Sequence, residues 1–229
     1  TPAWNGGTHY GSRIIFDKSN FLFFTNGERN TMNNAQDLSN SHGKVHRIKD
    51  DGSIPSDNPF VNTPGAVSSI WTYGNRNPQG MIYDQKNDRI WSVEHGPQGG
   101  DELNLIEKAK NYGWPVITYG INYNGAPISN ITSKDGMEQP KHYWVPSIAT
   151  CGMTLVTSDR YPEWNGNILV AALAKQHITR IEMNGTTFSK EEKLFQNIGR
   201  VRQVSQSPDG YLYAVTEGTG LLVKLLPAR

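Results

Sequence analysis

The sequence predicts an all-β protein, and three observations carry that prediction. Helical periodicity is nearly absent along the 229 residues. Short apolar or alternating runs dominate instead, each closed by Gly, Asn, Asp or Pro. One pattern also recurs, a polar turn followed by a strand that ends near a small or polar residue. Composition agrees: 23 glycines and 13 prolines supply turns, and aromatics at 10% suit half-buried pleated surfaces.

Taken in order, the expected strands are 13–16, 21–25, 44–48, 89–93, 167–173, 178–183 and 211–216. The recurring pattern is Asp17-Lys-Ser-Asn-Phe-Leu-Phe-Phe-Thr-Asn-Gly27, then Asp84-Gln-Lys-Asn-Asp-Arg-Ile-Trp-Ser-Val-Glu94, then Asp209-Gly-Tyr-Leu-Tyr-Ala-Val-Thr-Glu-Gly218. Trp164-Asn-Gly-Asn-Ile-Leu-Val-Ala-Ala-Leu173 follows it more loosely. Recurrence at roughly 40–80 residues is the spacing of propeller blades that carry insertions. An irregular sandwich of several hairpins accounts for the same pattern. Segment 101–110 is the best helical candidate, although it is short and has no cap at its end. Residues 119–147 are polar, Gly/Pro-rich and irregular, and a connection of that length in a folded domain is usually functional or disordered. No linker divides the chain, which reads as a single domain over 1–229.

Charge excludes some partners. With 22 basic against 21 acidic side chains, no global field favours nucleic acid or an anionic membrane, so an anion has to be bound locally. Cys151 has no partner cysteine and an internal disulfide is excluded. No apolar run approaches the length of a membrane span. Thr1-Pro2-Ala3-Trp4 has neither the basic start nor the apolar stretch of a secretory leader.

Polar chemistry gathers in a few places. In Tyr73-Gly-Asn-Arg-Asn-Pro-Gln-Gly80, Arg76 offers a permanently charged fork for a carboxylate or phosphate, with Asn77 beside it. A surface arginine next to a turn asparagine is the plainer account. In Glu94-His-Gly-Pro-Gln-Gly-Gly-Asp-Glu-Leu-Asn104, followed by Asn111-Tyr-Gly-Trp-Pro115, Gly and Pro free main-chain carbonyls beside carboxylates. Those are the hard oxygen ligands calcium takes, although a solvated acidic loop reads the same way. Zinc lacks its His-Glu-x-x-His pattern here. Lys175, Arg200 and Arg202 form a dispersed basic set, and Arg200 and Arg202, two apart on a strand, point to one face. His9, on a small-residue turn before a strand, can act as a general base, or is structural or merely exposed. No Gly-x-Ser-x-Gly elbow, phosphate loop or dinucleotide fingerprint occurs.

Together, Gly74-Asn-Arg-Asn-Pro-Gln-Gly80, the 94–104 cluster and Asn111-Tyr-Gly-Trp-Pro115 resemble the soluble aldose sugar dehydrogenases, relatives of the soluble quinoprotein glucose dehydrogenase. His9-Tyr-Gly-Ser-Arg13, Asp51-Gly-Ser-Ile-Pro-Ser-Asp-Asn-Pro-Phe60, Arg200-Val-Arg202 and Ser207-Pro-Asp-Gly210 extend the resemblance over nearly the whole chain. The resemblance implies a six-bladed β-propeller, of which this chain covers roughly the last four blades. It implies a periplasmic or secreted enzyme that oxidises an aldose at the anomeric carbon with pyrroloquinoline quinone (PQQ) and calcium, passing electrons to an acceptor the sequence does not identify. In that scheme His9 is the general base. Arg76, Asn77, Tyr123, Lys175, Arg200 and Arg202 hold the cofactor, the carbonyls of Gly96 and Pro97 bind its calcium, and Glu102 and Tyr112 match a second calcium site.

The family has further blades upstream of His9. The expectation is therefore a fragment, a nicked product, or one piece completed by another chain. Two rivals remain in other classes, a non-enzymatic propeller binding module and a calcium-dependent sugar lactonase. The set of His9 with four cations argues against the first, and the lack of converging carboxylate and amide ligands argues against the second.

Overall fold

Short strands joined by turns pair most readily with their neighbours in sequence, because the loop to be closed is short. Among the described residues, 7–218 and 220–227 of the computed structural model, every sheet is built that way. The chain divides into two units, Thr1–Pro146 and Ser147–Arg229. The first unit holds two sheets. One runs β1 (Gly11–Phe16), β2 (Leu22–Asn26), β3 (Lys44–Ile48) and β4 (Ile70–Tyr73); the other runs β5 (Pro78–Asp84), β6 (Arg89–Glu94), β7 (Asp101–Ile106) and β8 (His142–Trp144). The second unit holds β9 (Thr150–Leu155), β10 (Ile168–Ala172), β11 (His177–Asn184) and β12 (Thr187–Leu194), then the three-stranded β13 (Arg200–Gln206), β14 (Leu212–Glu217) and β15 (Leu222–Leu225). All pairings within these sheets are antiparallel. Such four-stranded meanders are the unit of propeller-like folds.

The recurring sequence pattern has a structural meaning. Its four copies are the first hairpin turn and the second strand of each sheet: β2, β6, β10 and β14. Asp17 shows what the polar turn does, its Oδ1 accepting the main-chain N–H of Ser19 and of Phe21 at 2.8 and 2.9 Å. In the first unit Phe23, Val45, Met81, Ile90 and Ile106 form one buried cluster. In the second, Leu169, Ala171, Ile178, Val201, Val204 and Leu212 form another.

Segment 101–110 corrects the helical expectation, because its first six residues are β7. Ten uncapped residues make a marginal helix. As a strand, the segment is hydrogen-bonded on one edge to β6 and on the other to β8, with Leu103 and Ile106 buried. The long connection after β7 carries the 111–115 motif and isolated bridges at Tyr73–Asn111, Gln98–Ile121 and Ile121–Pro127. It ends in the three-residue β8, inside the segment that reads as irregular from sequence.

Candidate active site

In the first unit, the turn from β4 to β5 delivers Arg76 to the interior, where it is 6% exposed. Its main-chain N–H donates to Glu94 Oε2 at 2.6 Å. Its Nη1 donates to the carbonyls of His95 and Gly96 at 3.0 and 2.8 Å, and its guanidinium lies 5.2 Å from the Trp114 ring centroid. Among the described residues the Arg76 Nε has no hydrogen-bond partner. A buried cationic N–H left without an acceptor is costly, which makes Arg76 a candidate to meet an acceptor from outside the described residues. Burial pushes its pKa down, and the Tyr123 and Glu28 side chains nearby oppose that shift.

The turn 95–100 folds back tightly enough that a Cβ on Gly96 would sit 2.2 Å from the Gly100 carbonyl oxygen. Only glycine fits there, and the Gly96 N–H is fixed by Asp101 Oδ1 at 2.9 Å. Around the turn stand two carboxylates. Glu94 accepts from Asn75 and Asn104 Nδ2 at 2.9 and 3.2 Å, and burial raises its pKa. Glu102 also accepts from Asn104, and burial first, then the Glu94 charge, pushes it up to about 8. A small cavity of about 10 Å3 is lined by Arg76, Glu94, Glu102, Tyr112 and Trp114 among others, space on the scale of one water.

His9 lies just before β1, with φ at +56°. Its Nδ1 is 2.6 Å from Glu28 Oε1, and Glu28 is 1% exposed. A carboxylate can only accept, so Nδ1 is the donor in this pair and Nε2 is the ring nitrogen left to face a substrate. Glu28 is itself held: Oε2 accepts the Thr31 N–H at 2.6 Å, and the Glu28 N–H donates to the Arg76 carbonyl at 2.9 Å. Asn77 Oδ1 accepts the Gly11 N–H at 3.1 Å, tying the same turn to the His9 loop. The structure therefore brings His9, Arg76 and Asn77 into one bonded neighbourhood, and adds Glu28, which the sequence reading missed. No local signal marks Glu28; it meets His9 only because the β1–β2 hairpin places residues nineteen apart side by side.

Other candidates are placed differently. Tyr123 is 77% exposed on the long connection, yet its side chain is within hydrogen-bonding reach of the Arg76 guanidinium. The Tyr112 hydroxyl donates to the Leu105 carbonyl at 2.5 Å and accepts the Glu107 N–H at 3.0 Å, so any contribution to a metal has to come from its main-chain carbonyl. Gly96 and Pro97 are buried, and the Gly96 carbonyl already faces a cationic group in Arg76. In the second unit Lys175 is exposed on the β10–β11 turn, and its carbonyl accepts from His177 Nδ1 at 2.9 Å. Arg200 and Arg202 both reach Glu217 across the β13–β14 pair: Arg200 Nε at 2.5 Å from Oε1, and Arg202 Nε at 3.0 Å from Oε2. Arg202 Nη2 also donates to Oε2, and its Nη1 lies 3.4 Å from Cys151 Sγ.

The family model for glucose/sorbosone dehydrogenases matches residues 1–224. The chain belongs to this family. Among curated members, the aldose sugar dehydrogenase YliI of Escherichia coli (strain K12) is 42% identical over 99% of this chain and 62% of its own length. The crystal structure of the soluble aldose sugar dehydrogenase from Escherichia coli in the apo-form superposes with a TM-score of 0.91 at 41% identity, over 97% of this chain and 65% of that one. The PQQ-bound form of the aldose sugar dehydrogenase from Streptomyces coelicolor does so with a TM-score of 0.77 at 28% identity, over 96% and 63%. The chain thus spans a little under two thirds of these family members.

Two observations test the groups that the family implies. The orphaned Arg76 Nε fits an anionic oxygen of a quinone carboxylate. Buried Asn75 Oδ1 and Asn104 Oδ1 also lack hydrogen-bond partners among the described residues, and with Glu94 and Glu102 they make an oxygen-rich surround that fits a hard cation such as calcium. Among the described residues no three His, Cys, Asp or Glu side chains gather as a metal site, so amide and main-chain oxygens are needed to complete one.

Proposed function

We propose that this chain is part of a PQQ- and calcium-dependent aldose sugar dehydrogenase that oxidises its sugar at the anomeric carbon to a lactone. The observation that carries the reading is the His9–Glu28 pair, hydrogen-bonded through the Arg76 main chain to a buried guanidinium with an unused N–H. His9 Nε2 removes the proton of the anomeric hydroxyl, and Glu28, on the opposite ring nitrogen, holds the tautomer and stabilises the imidazolium that forms. Arg76 orients a carboxylate of the cofactor, with Asn77 and Tyr123 beside it. Lys175, Arg200 and Arg202 are the further cofactor cations that the family resemblance implies. When bound, PQQ supplies a two-electron acceptor, and calcium held by the Gly96 and Pro97 carbonyls supplies a Lewis acid. Glu102 and the Tyr112 carbonyl serve a second calcium.

The finer architecture belongs to the same proposal: a six-bladed propeller, with these sheets as roughly its last four blades. Exposed apolar residues support a need for further sheets. Ile14 is 65% exposed on β1 and Leu222 is 70% exposed on β15, surface that an adjoining blade, from the same or another chain, would cover. The same reading puts its site of action in the periplasm or outside the cell, as the family resemblance implies. It acts on an aldose, with residues 119–147 shaping sugar preference, and hands electrons to an acceptor yet to be identified.

An absorbance titration of the purified protein with PQQ and calcium, followed by glucose, tests this directly. Saturable binding and bleaching to the reduced cofactor are expected. Binding with no reduction by any aldose would favour a non-catalytic binding module, and no binding by the protein with its full set of blades would defeat the proposal.

A further inference from the structure

We infer that Arg29 is a positioning residue, a clamp that holds the main chain of His9 where its ring can work; the inference rests on His9 being the base. His9 sits at φ +56°, in the left-handed region that a residue with a side chain enters only at a cost in free energy. Such a conformation persists where the surroundings over-determine it, and segment 27–29 does so from three directions. Gly27 lies so close that a Cβ there would be 2.0 Å from the His9 carbonyl oxygen. Glu28 holds the ring at Nδ1. Arg29 Nη1 donates to the His9 carbonyl at 2.8 Å, and the same guanidinium lies 4.1 Å over the ring of Tyr10, the next residue.

One planar fork thus grips the carbonyl on one side of the His9–Tyr10 peptide and the aromatic ring on the other. Glu28 and Arg29 divide the task. Glu28 contacts the ring and bears on the proton; Arg29 contacts the main chain and bears on place. A base displaced by even an ångström loses much of its rate while its protonation is unaltered. Lysine is a partial substitute, since it offers an N–H to the carbonyl but no planar group to lie on the ring.

The experiment compares Arg29→Met, Arg29→Lys, His9→Ala and the double variant in the PQQ- and calcium-loaded protein. Arg29→Met should lower kcat by roughly 10- to 100-fold with the PQQ Kd at its parental value, and Arg29→Lys, which keeps the charge, should recover part of the loss with the pH profile of kcat unchanged. In the His9→Ala background, Arg29→Met should change the residual rate no further. Independently of turnover, the rate at which diethyl pyrocarbonate modifies His9 in the cofactor-free protein, read by peptide mass spectrometry, should change in Arg29→Met while the rate at His142 stays the same. Parental kcat in Arg29→Met with a dead His9→Ala overturns the clamp and leaves the base in place. Full turnover in His9→Ala overturns the base, and the modification rate then still decides whether Arg29 holds His9. Loss of PQQ affinity in both Arg29 variants in parallel with kcat would show a general structural role, and the inference would fail.

Discussion

The two units carry their candidate cations in opposite ways. In the first, Arg76 is buried, spends Nη1 on two carbonyls and leaves Nε without a partner among the described residues. In the second, Arg200 and Arg202 stand partly in solvent and share one carboxylate, Glu217. A buried group with an unmet hydrogen bond is informative, because the protein bears a desolvation cost that a ligand can relieve. An exposed ion pair is not, since such pairs contribute little and form for many reasons. The first unit therefore points to a ligand through its own structure, whereas the second only supplies charge.

The largest effect that separates the two should follow from Arg76→Met. Removing a buried, hydrogen-bonded cation typically costs about 2–5 kcal/mol of binding, so the PQQ Kd should rise on the order of 10²- to 10³-fold by absorbance titration. A change below threefold would mean that the orphaned Nε is not a cofactor contact, and the contrast between the units would collapse.

A middle-sized effect is expected at Glu102, whose carboxyl is pushed up to about 8 by burial and by Glu94. The native metal-free protein then holds a proton that the unfolded chain, at an ordinary 4.5, has released. Between those two values the native state binds more protons, so metal-free stability should fall as pH rises across that window. Calcium needs the ionised form, and its affinity should climb with pH until about 8. Calorimetry of calcium binding near pH 6.5 in buffers of different ionisation heat should show close to one proton released per ion, and Glu102→Gln should abolish the release. An unchanged release in that variant would move the titrating group elsewhere.

Legibility in the sequence follows the same physical divide. The recurring turn-and-strand pattern was readable because it repeats local chemistry, a polar turn such as Asp17 leading to a buried second strand. Strands that depend on their neighbours were not. β5 opens Pro78-Gln-Gly80, turn-like by composition, and β12 reads Thr-Phe-Ser-Lys-Glu-Glu-Lys-Leu, which looks like a solvated helix face. In the structure β12 is an edge strand whose charges pair across to β11, Glu192 to Arg180 at 2.6 Å, in keeping with edges that are kept charged. At the site, Gly96 and Arg76 were visible as parts of motifs. Glu28 and Arg29 were not, since their contacts to His9 exist only once the β1–β2 hairpin has formed.

The smallest effect should come from Glu217→Gln, and it is the sharpest test of whether the second unit only supplies charge. The two arginines hold the Glu217 carboxyl below its ordinary range, Arg202 most strongly, so the clamp stays ionised in mild acid. The glutamine variant loses the orientation of both forks but gains a net positive charge. For partly exposed groups these terms are each worth up to about 1 kcal/mol and oppose one another. The PQQ Kd should rise by less than about fivefold at physiological salt, and the deficit should shrink at low salt, where the freed charge attracts the anion over a longer range. Titrations at low and high ionic strength read both quantities. A salt-independent loss as large as that of Arg76→Met would show that Glu217 sets a geometry the cofactor demands, and that the second unit is as preorganised as the first despite its exposure.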